Sequence, residues 1–321
     1  MPNAWPNKSD SAGGRPTSQR CAVPGSNPTS RTRLQLRRPR SRWTGPNRHC
    51  LQPNGVRGSD SKESRAMSEP LHRMNPTTRF ADCVEHYAQF RPDYPERAID
   101  LMLEGMGFPS MLTVADIGSG TGILSRQLAE RGALVVAVEP NESMRRACFA
   151  HERIIPHDAT AEQTGLNDGS VDLITCAQAF HWFDPERALP EFRRIIRGLG
   201  RLAIIWNTRD TDDPVTAGYT AAIRKASQSH PAESRMDQAR AFEQSPLFTD
   251  LQEHEIPHVQ RLTLDGLIGR ARSASYCPKQ GPLLDTLIEE LTELHAAHAD
   301  ADGCVQMRYM TRLFILSPAF E

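Results

Sequence analysis

The 321-residue chain predicts an α/β fold built on a doubly wound, mostly parallel sheet. Three observations carry that expectation. A glycine-bearing stretch at 116–122, Asp-Ile-Gly-Ser-Gly-Thr-Gly, joins an apolar run at 111–115 to a helix-patterned run at 123–129. A second apolar run, 133–138, is rich in valine and ends in Glu139 and Pro140. Strand-like and helix-like runs then keep alternating, the pattern of a parallel sheet with helices on both faces.

The elements follow in chain order. Between 79 and 90 apolar residues recur at 80, 83, 84, 87 and 90, which is helical spacing. Pro92 and Pro95 break it, and a second helix is expected from Glu96 to Met106, stopped by Gly107. Strands are expected over 112–117, 134–138, 153–156, 171–177 and 200–206, with helices over 123–131, 141–150 and 185–197. The run 134–138 is apolar without alternation, as suits a strand covered on both faces. Between roughly 208 and 300 helical patterns return, for example at 285–294.

The glycine stretch carries the chemistry. A strand that turns through glycines into a helix brings backbone close to a ligand and points free helix N–H groups at its negative end. The dinucleotide fingerprint GxGxxG would need glycine at 123, where Ile123 stands; the glycines fall instead at 118, 120 and 122, behind the acid Asp116. The loop therefore reads as a nucleoside-type cofactor loop rather than an NAD loop. Glu139 follows Asp116 at the roughly 20-residue interval of an acid that holds ribose hydroxyls at the end of the second strand.

Composition bounds the alternatives. No apolar run approaches the roughly 20 residues that span a bilayer. Seven cysteines lie far apart, with no CxxC pair and no Cys/His cluster at zinc spacing, so neither a disulfide framework nor a metal site is expected. A cytoplasmic setting fits that cysteine usage. The net charge of −1 hides an asymmetry. Residues 1–73 form a basic Pro/Ser/Arg-rich leader; within 1–66 arginine recurs from Arg15 to Arg65 against only Asp10, Asp60 and Glu63. Such a segment buries too little apolar surface to offset its ordering entropy, so it is expected to be disordered. Three readings of it stay open: an upstream start with Met67 as the natural beginning, which is favoured; an organelle transit peptide; and a nucleic-acid-binding tail. A secretory signal is not expected, because no apolar core segment is present. The folded domain is expected over 74–321.

The stretch 114–122 followed by 138–144 resembles class I S-adenosylmethionine (SAM) methyltransferases. Residues 171–184 and 200–209 are similar to the small-molecule, trans-aconitate methyltransferase-like branch of that family. The resemblance runs from about Arg79 to the C-terminus and is most specific between 114 and 209. It implies a Rossmann-like seven-stranded sheet with an antiparallel edge hairpin, for which 251–264 and 305–316 are the available runs. It also implies a helical substrate cap around 208–300. Two departures are present: the family's Lys-Pro-Gly-Gly turn before the fifth strand is replaced at 197–200 by Arg-Gly-Leu-Gly, and no Asn-Pro-Pro-Tyr motif follows the fourth strand. The second departure, with the lack of a basic groove, counts against a nucleic-acid substrate.

By that resemblance Gly118, Ser119 and Gly120 face the methionine and ribose portions of SAM, Asp116 anchors the loop and reaches the cofactor's ammonium group, and Glu139 holds the ribose hydroxyls. Pro140 and Met144 pack on adenine, and Asp158 with Ala159 meets its amino edge. Gln178 leaves the fourth strand at its carboxyl end, where open α/β sheets bind ligands. Tyr87 and Arg91 are candidates for the amino-acid end of the cofactor. Tyr94, Trp182, Asn207, Arg209 and Arg272 are candidates for the substrate, with Arg270 a further cation for a carboxylate clamp. His181 is the candidate catalytic base, since an ordinary imidazole titrates near neutrality. Each also has a plain structural reading in helix packing, a turn or a solvated surface.

The expected activity is SAM-dependent methyl transfer to a small molecule, with an oxygen nucleophile such as a carboxylate as the leading acceptor. C-methylation of a quinone-like ring is an alternative, and SAM binding without turnover is another. No membrane partner is expected, and the oligomeric state is not legible.

Overall fold

β1 (Thr113–Ile117) lies between β2 (Leu134–Val138) and β4 (Val171–Ala177), and pairs parallel with both. The computed structural model describes residues 84–229 and 240–319, all within one compact unit. The 1–73 leader and the first turn of the helix expected from 79 lie outside the described residues.

The sheet has seven strands in the order β3-β2-β1-β4-β5-β7-β6. β3 (Ile154–His157) adds in parallel to β2, and β5 (Ile196–Arg209) to β4. β7 (Val305–Pro318) runs antiparallel to β5, and β6 (Phe248–Leu262) antiparallel to β7. The expected edge hairpin is therefore present, supplied by the two runs assigned to it. β5 is longer than the 200–206 expected: it pairs with β4 from Ile196, and β7 continues the ladder along it as far as Arg209, beyond the end of β4.

Side chains alternate between two cores along each central strand, as the pleat requires. On β5, Leu202, Ile204 and Trp206 enter one core with Phe192 of α5 (Pro185–Ile195), while Ala203 and Ile205 enter the other. That second core also takes Ile99 and Met102 of α2 (Glu96–Leu103) and Leu124 and Leu128 of α3 (Ile123–Glu130). α1 (Val84–Phe90) precedes α2, which ends three residues before Met106. α4 (Glu142–Arg146) is also shorter than expected. Asn141 caps it by accepting the N–H of Met144 at 3.0 Å.

Three helices build a third core beside the hairpin: α6 (Pro214–Ala226), α7 (Leu264–Arg272) and α8 (Pro282–His298). They occupy the segment expected to be a helical cap, interrupted by β6. The exposed edge of β6 carries Glu253, Glu255, Arg261 and Pro257. Charge and proline on a free edge oppose pairing with another strand.

Candidate active site

The loop after β1 is drawn onto the end of β2 by backbone bonds. The Val138 carbonyl accepts the N–H of both Gly118 (2.8 Å) and Ser119 (3.1 Å). Gly118 has φ +69°, and a Cβ there would stand 2.7 Å from Ala179 Cβ and 3.0 Å from Phe183 Cζ. Only glycine suits that position on both counts. Gly120 has φ +56°, and a Cβ on it would meet nothing nearer than Tyr87 Cε1 at 3.8 Å, so its open side faces the ring of Tyr87.

Glu139 is 9% exposed and stands where β2 ends. Its Oε2 accepts the Gly120 N–H at 2.9 Å and its Oε1 the Asn141 N–H at 2.8 Å. Burial raises its pKa, and the two backbone donors and Arg145 work against that rise. Two acceptor directions of the carboxylate are thereby used, and the remaining lone pairs are free for hydroxyl donors.

Around this acid lies a cavity of about 430 Å³, within the usual range for a small-molecule site. Gly118, Gly120, Glu139, Pro140 and Met144 form one side of it, and Tyr87, Gln178 and Trp182 contribute elsewhere. Eight of the residues anticipated from sequence thus meet at one cavity. Gln178 adopts φ +55°, a conformation uncommon for a non-glycine residue and often found at functional sites. Its Nε2 donates to the Asn207 carbonyl at 3.2 Å, whereas its Oε1 is buried without a partner. Ser119 Oγ on the glycine loop is likewise buried and unpartnered.

Several expected site residues are placed elsewhere. Asp116 is fully buried beneath the loop, where it accepts from Ser125 Oγ (2.6 Å) and Thr175 Oγ1 (2.8 Å). It ties β1 to α3 and β4 and does not line the cavity, so it anchors the loop but does not reach a ligand's ammonium group. Burial raises its pKa, and the two hydroxyl donors oppose the rise. Asp158 leaves its side chain 68% exposed and pairs with Arg145 at 2.8 Å. The same arginine donates to the Glu139 carbonyl at 2.8 Å, clamping the ends of β2 and β3 together. The cavity wall after β3 is formed by Thr160, Ala161 and Glu162 rather than by Asp158 and Ala159.

Tyr94 is 5% exposed and packed in the α2–α3 core. Asn207 spends its amide on the protein: Nδ2 donates to the Asp93 carbonyl (2.9 Å) and Oδ1 accepts from Thr311 Oγ1 (2.6 Å). It therefore pins the loop between α1 and α2 to β5 and is not left to bind a substrate. His181 does not titrate near neutrality. Burial, reinforced by the Arg91 charge, lowers its pKa to about 3, and both ring nitrogens are buried without partners. Arg209 lies with its guanidinium carbon 5.7 Å from the Tyr219 ring centroid, and Arg272 has a buried Nε without a partner. Neither lines the cavity.

Sequence reasoning missed Phe183, Asp184 and Arg187, which also line the cavity. A signal was present: they continue the run that leaves β4 after Gln178 and Trp182, on the side of the sheet where ligands bind.

The cavity brings together a buried acid at the end of a strand, a close-approach glycine loop and an unpartnered, buried Gln178 Oε1, whereas Ser119 does not line it. Comparison with known proteins identifies the family. Residues 115–204 match the model of a methyltransferase domain. An uncharacterized methyltransferase of Mycobacterium tuberculosis is 34% identical over 246 residues, which cover 74% of this chain and 95% of the relative. The malonyl-[acyl-carrier protein] O-methyltransferase of Geobacter sulfurreducens is 29% identical over 153 residues, covering 45% of this chain and 56% of that one. A solved structure from Anaeromyxobacter dehalogenans, described as a type II methyltransferase, superposes with a TM-score of 0.54 at 26% identity, covering 70% of this chain and 97% of that one. With the strand order, the glycine loop and these relatives in agreement, the chain belongs to the class I SAM-dependent methyltransferases.

Proposed function

We propose that the protein transfers the methyl group of SAM to an oxygen nucleophile on a small molecule, a carboxylate being the favoured acceptor. The observation that supports the acceptor class is the placement of His181: it is buried and does not line the cavity, and the same burial lowers its pKa to about 3, which leaves it a weak base. Among the described residues no histidine, His181 included, lines the cavity. Of the acids that do, Glu162 Oε1 accepts the Asp184 N–H at 3.0 Å and Asp184 Oδ1 caps α5 through the Glu186 N–H at 3.2 Å. An acceptor already ionised at neutral pH needs no base to become nucleophilic, and a carboxylate meets that condition. The O-methyltransferase activity named for the Geobacter relative supports the same reading.

When bound, SAM supplies an activated sulfonium methyl, so the protein's contribution is binding, orientation and electrostatics. In this reading Glu139 holds the ribose hydroxyls, the Gly118–Gly120 backbone lies along the cofactor, and Pro140 and Met144 pack on adenine. Gln178 Oε1 receives the ammonium end, with Tyr87 closing the cavity over it. Holding the acceptor oxygen within about 3–3.5 Å of the methyl carbon supplies the rate gain that orientation gives. Trp182 shapes the acceptor side. Among the described residues no helix is long and apolar enough to cross a membrane; it is the scattered cysteines that favour a cytoplasmic setting in this reading.

The test is calorimetric titration of SAM, and separately NADH, into the full chain and into Glu139→Ala. This is followed by a screen of carboxylates, phenols and quinone-like rings with tritiated SAM. Saturable SAM binding lost in the variant, with label entering carboxylates, is the expected result. Label entering a ring carbon would replace the acceptor class, and binding without transfer to any acceptor would leave a SAM-binding protein.

A further inference from the structure

A second cluster lies beyond Tyr87, between α1 and the helical cap. Arg270 of α7 is 9% exposed, and its Nε is buried without a hydrogen-bond partner. Its Nη1 donates to Ser273 Oγ at 3.3 Å, and it also hydrogen-bonds with Tyr309. Arg91 comes from the other side: its Nη2 donates to the Ser273 carbonyl at 3.3 Å, and its Nε too is buried without a partner. Ser273 itself is fully buried. The phenols of Tyr219 and Tyr276 also act on Arg270. Two guanidinium groups therefore converge on one serine. Among the described residues, neither forms an ion pair with an aspartate or glutamate.

Burying a cation is costly unless an anion or a full set of acceptors compensates it. A second cation alongside adds like-charge repulsion. Serine and tyrosine oxygens offset part of this, but each guanidinium still has an unused N–H. The guanidinium fork matches the paired oxygens of a carboxylate or phosphate. Neither guanidinium lines the cavity itself; the cluster borders it through Tyr87, a cavity-lining residue whose ring centroid lies 4.6 Å from the Arg91 guanidinium carbon.

We propose that Arg270 and Arg91 form an anion subsite that receives a carboxylate or phosphate group of the methyl acceptor and so selects anionic acceptors. Resting on the methyltransferase reading, this assigns the acceptor a negative group held under the helical cap. Arg270 is then a specificity-determining residue.

Direct anion binding tests it without requiring turnover. Acetate and inorganic phosphate are titrated, at constant ionic strength in sodium chloride and without SAM, into the full chain and into Arg270→Met and Arg270→Lys, with the thermal midpoint as readout. A bound anion raises the midpoint by mass action. The expected result is a saturable rise in the wild type with at least one anion, whose half-maximal concentration increases tenfold or more in Arg270→Met. Arg270→Lys, which keeps the charge without the fork, should fall between them and serves if the methionine variant does not fold. Without added anion, Arg270→Met should be no less stable than wild type, because an uncompensated buried charge has been removed. The anion that produces the rise identifies which group the subsite takes. No rise in the wild type, or equal half-maximal concentrations in all three proteins, overturns the proposal. Calorimetry with SAM on the same samples separates this outcome from failure of the methyltransferase reading.

Discussion

The Glu139 carboxylate accepts the Gly120 N–H at 2.9 Å, so one hydrogen bond joins the end of the second strand to the glycine loop. That bond sets where the acid stands relative to the loop that a cofactor must approach. Its loss should therefore act on binding in two ways, through the missing acceptor and through a loosened loop. Glu139→Gln keeps the shape but halves the acceptor capacity and removes the charge. Hydrogen bonds to charged groups contribute about 1.5–3 kcal/mol, so the Kd for SAM should rise by about 10- to 100-fold. Calorimetry checks this, and an unchanged Kd would remove Glu139 from the site.

The same carboxylate gives binding a pH dependence. Burial raises the pKa of Glu139 above its ordinary 4.5, and only the ionised form can accept two hydroxyl donors besides its two backbone bonds. SAM affinity should therefore fall as pH drops through that raised value, at a higher pH than an exposed glutamate would give. The sign for stability is opposite: the folded state holds the proton more tightly than the unfolded chain, so Glu139 makes stability fall as pH rises between the two pKa values. Titrations of SAM across pH 5 to 8 would show the first effect, and Glu139→Gln should flatten it.

Gly118→Ala adds a methyl group where Ala179 and Phe183 already stand, at a φ of +69°. The clash and the left-handed conformation together should destabilise the protein by about 1–3 kcal/mol and push the loop out of register with Val138. Urea unfolding reads the first effect and SAM titration the second.

Asp116→Ala leaves the hydroxyls of Ser125 and Thr175 without their buried acceptor. Each unsatisfied group costs about 1–3 kcal/mol, so a loss of about 2–4 kcal/mol is expected, in line with a structural role. Asp116→Asn keeps one acceptor and should lose less. If the alanine variant were stable but selectively lost SAM binding, Asp116 would belong to the cofactor's contacts after all.

With its pKa lowered to about 3 by burial and by Arg91, His181 stays neutral across the physiological range. The pH profile of kcat/KM should carry no inflection near 6.5 that disappears in His181→Gln. An inflection lost with that substitution would restore His181 as a titrating base.

What the sequence determined by itself is local and periodic. The unalternating apolar run 134–138 could be covered only on both faces, the glycines at 118 and 120 required a close turn, and Glu139 followed at the interval of a ribose acid. Those features depend on residues near one another in the chain, so β2, the loop and the acid are legible without a fold. The two late runs were legible as a hairpin only because they resembled a known family. Which side chains remain available was decided by tertiary structure. Asn207 lost its amide to Asp93 and Thr311, 114 and 104 positions away, and Asp116 was consumed by Thr175, 59 positions on. Arg91 and Ser273 meet across 182 positions. A side chain's burial and partners are set by what the whole chain packs against it, and no local pattern encodes a contact that exists only once distant segments have closed upon it.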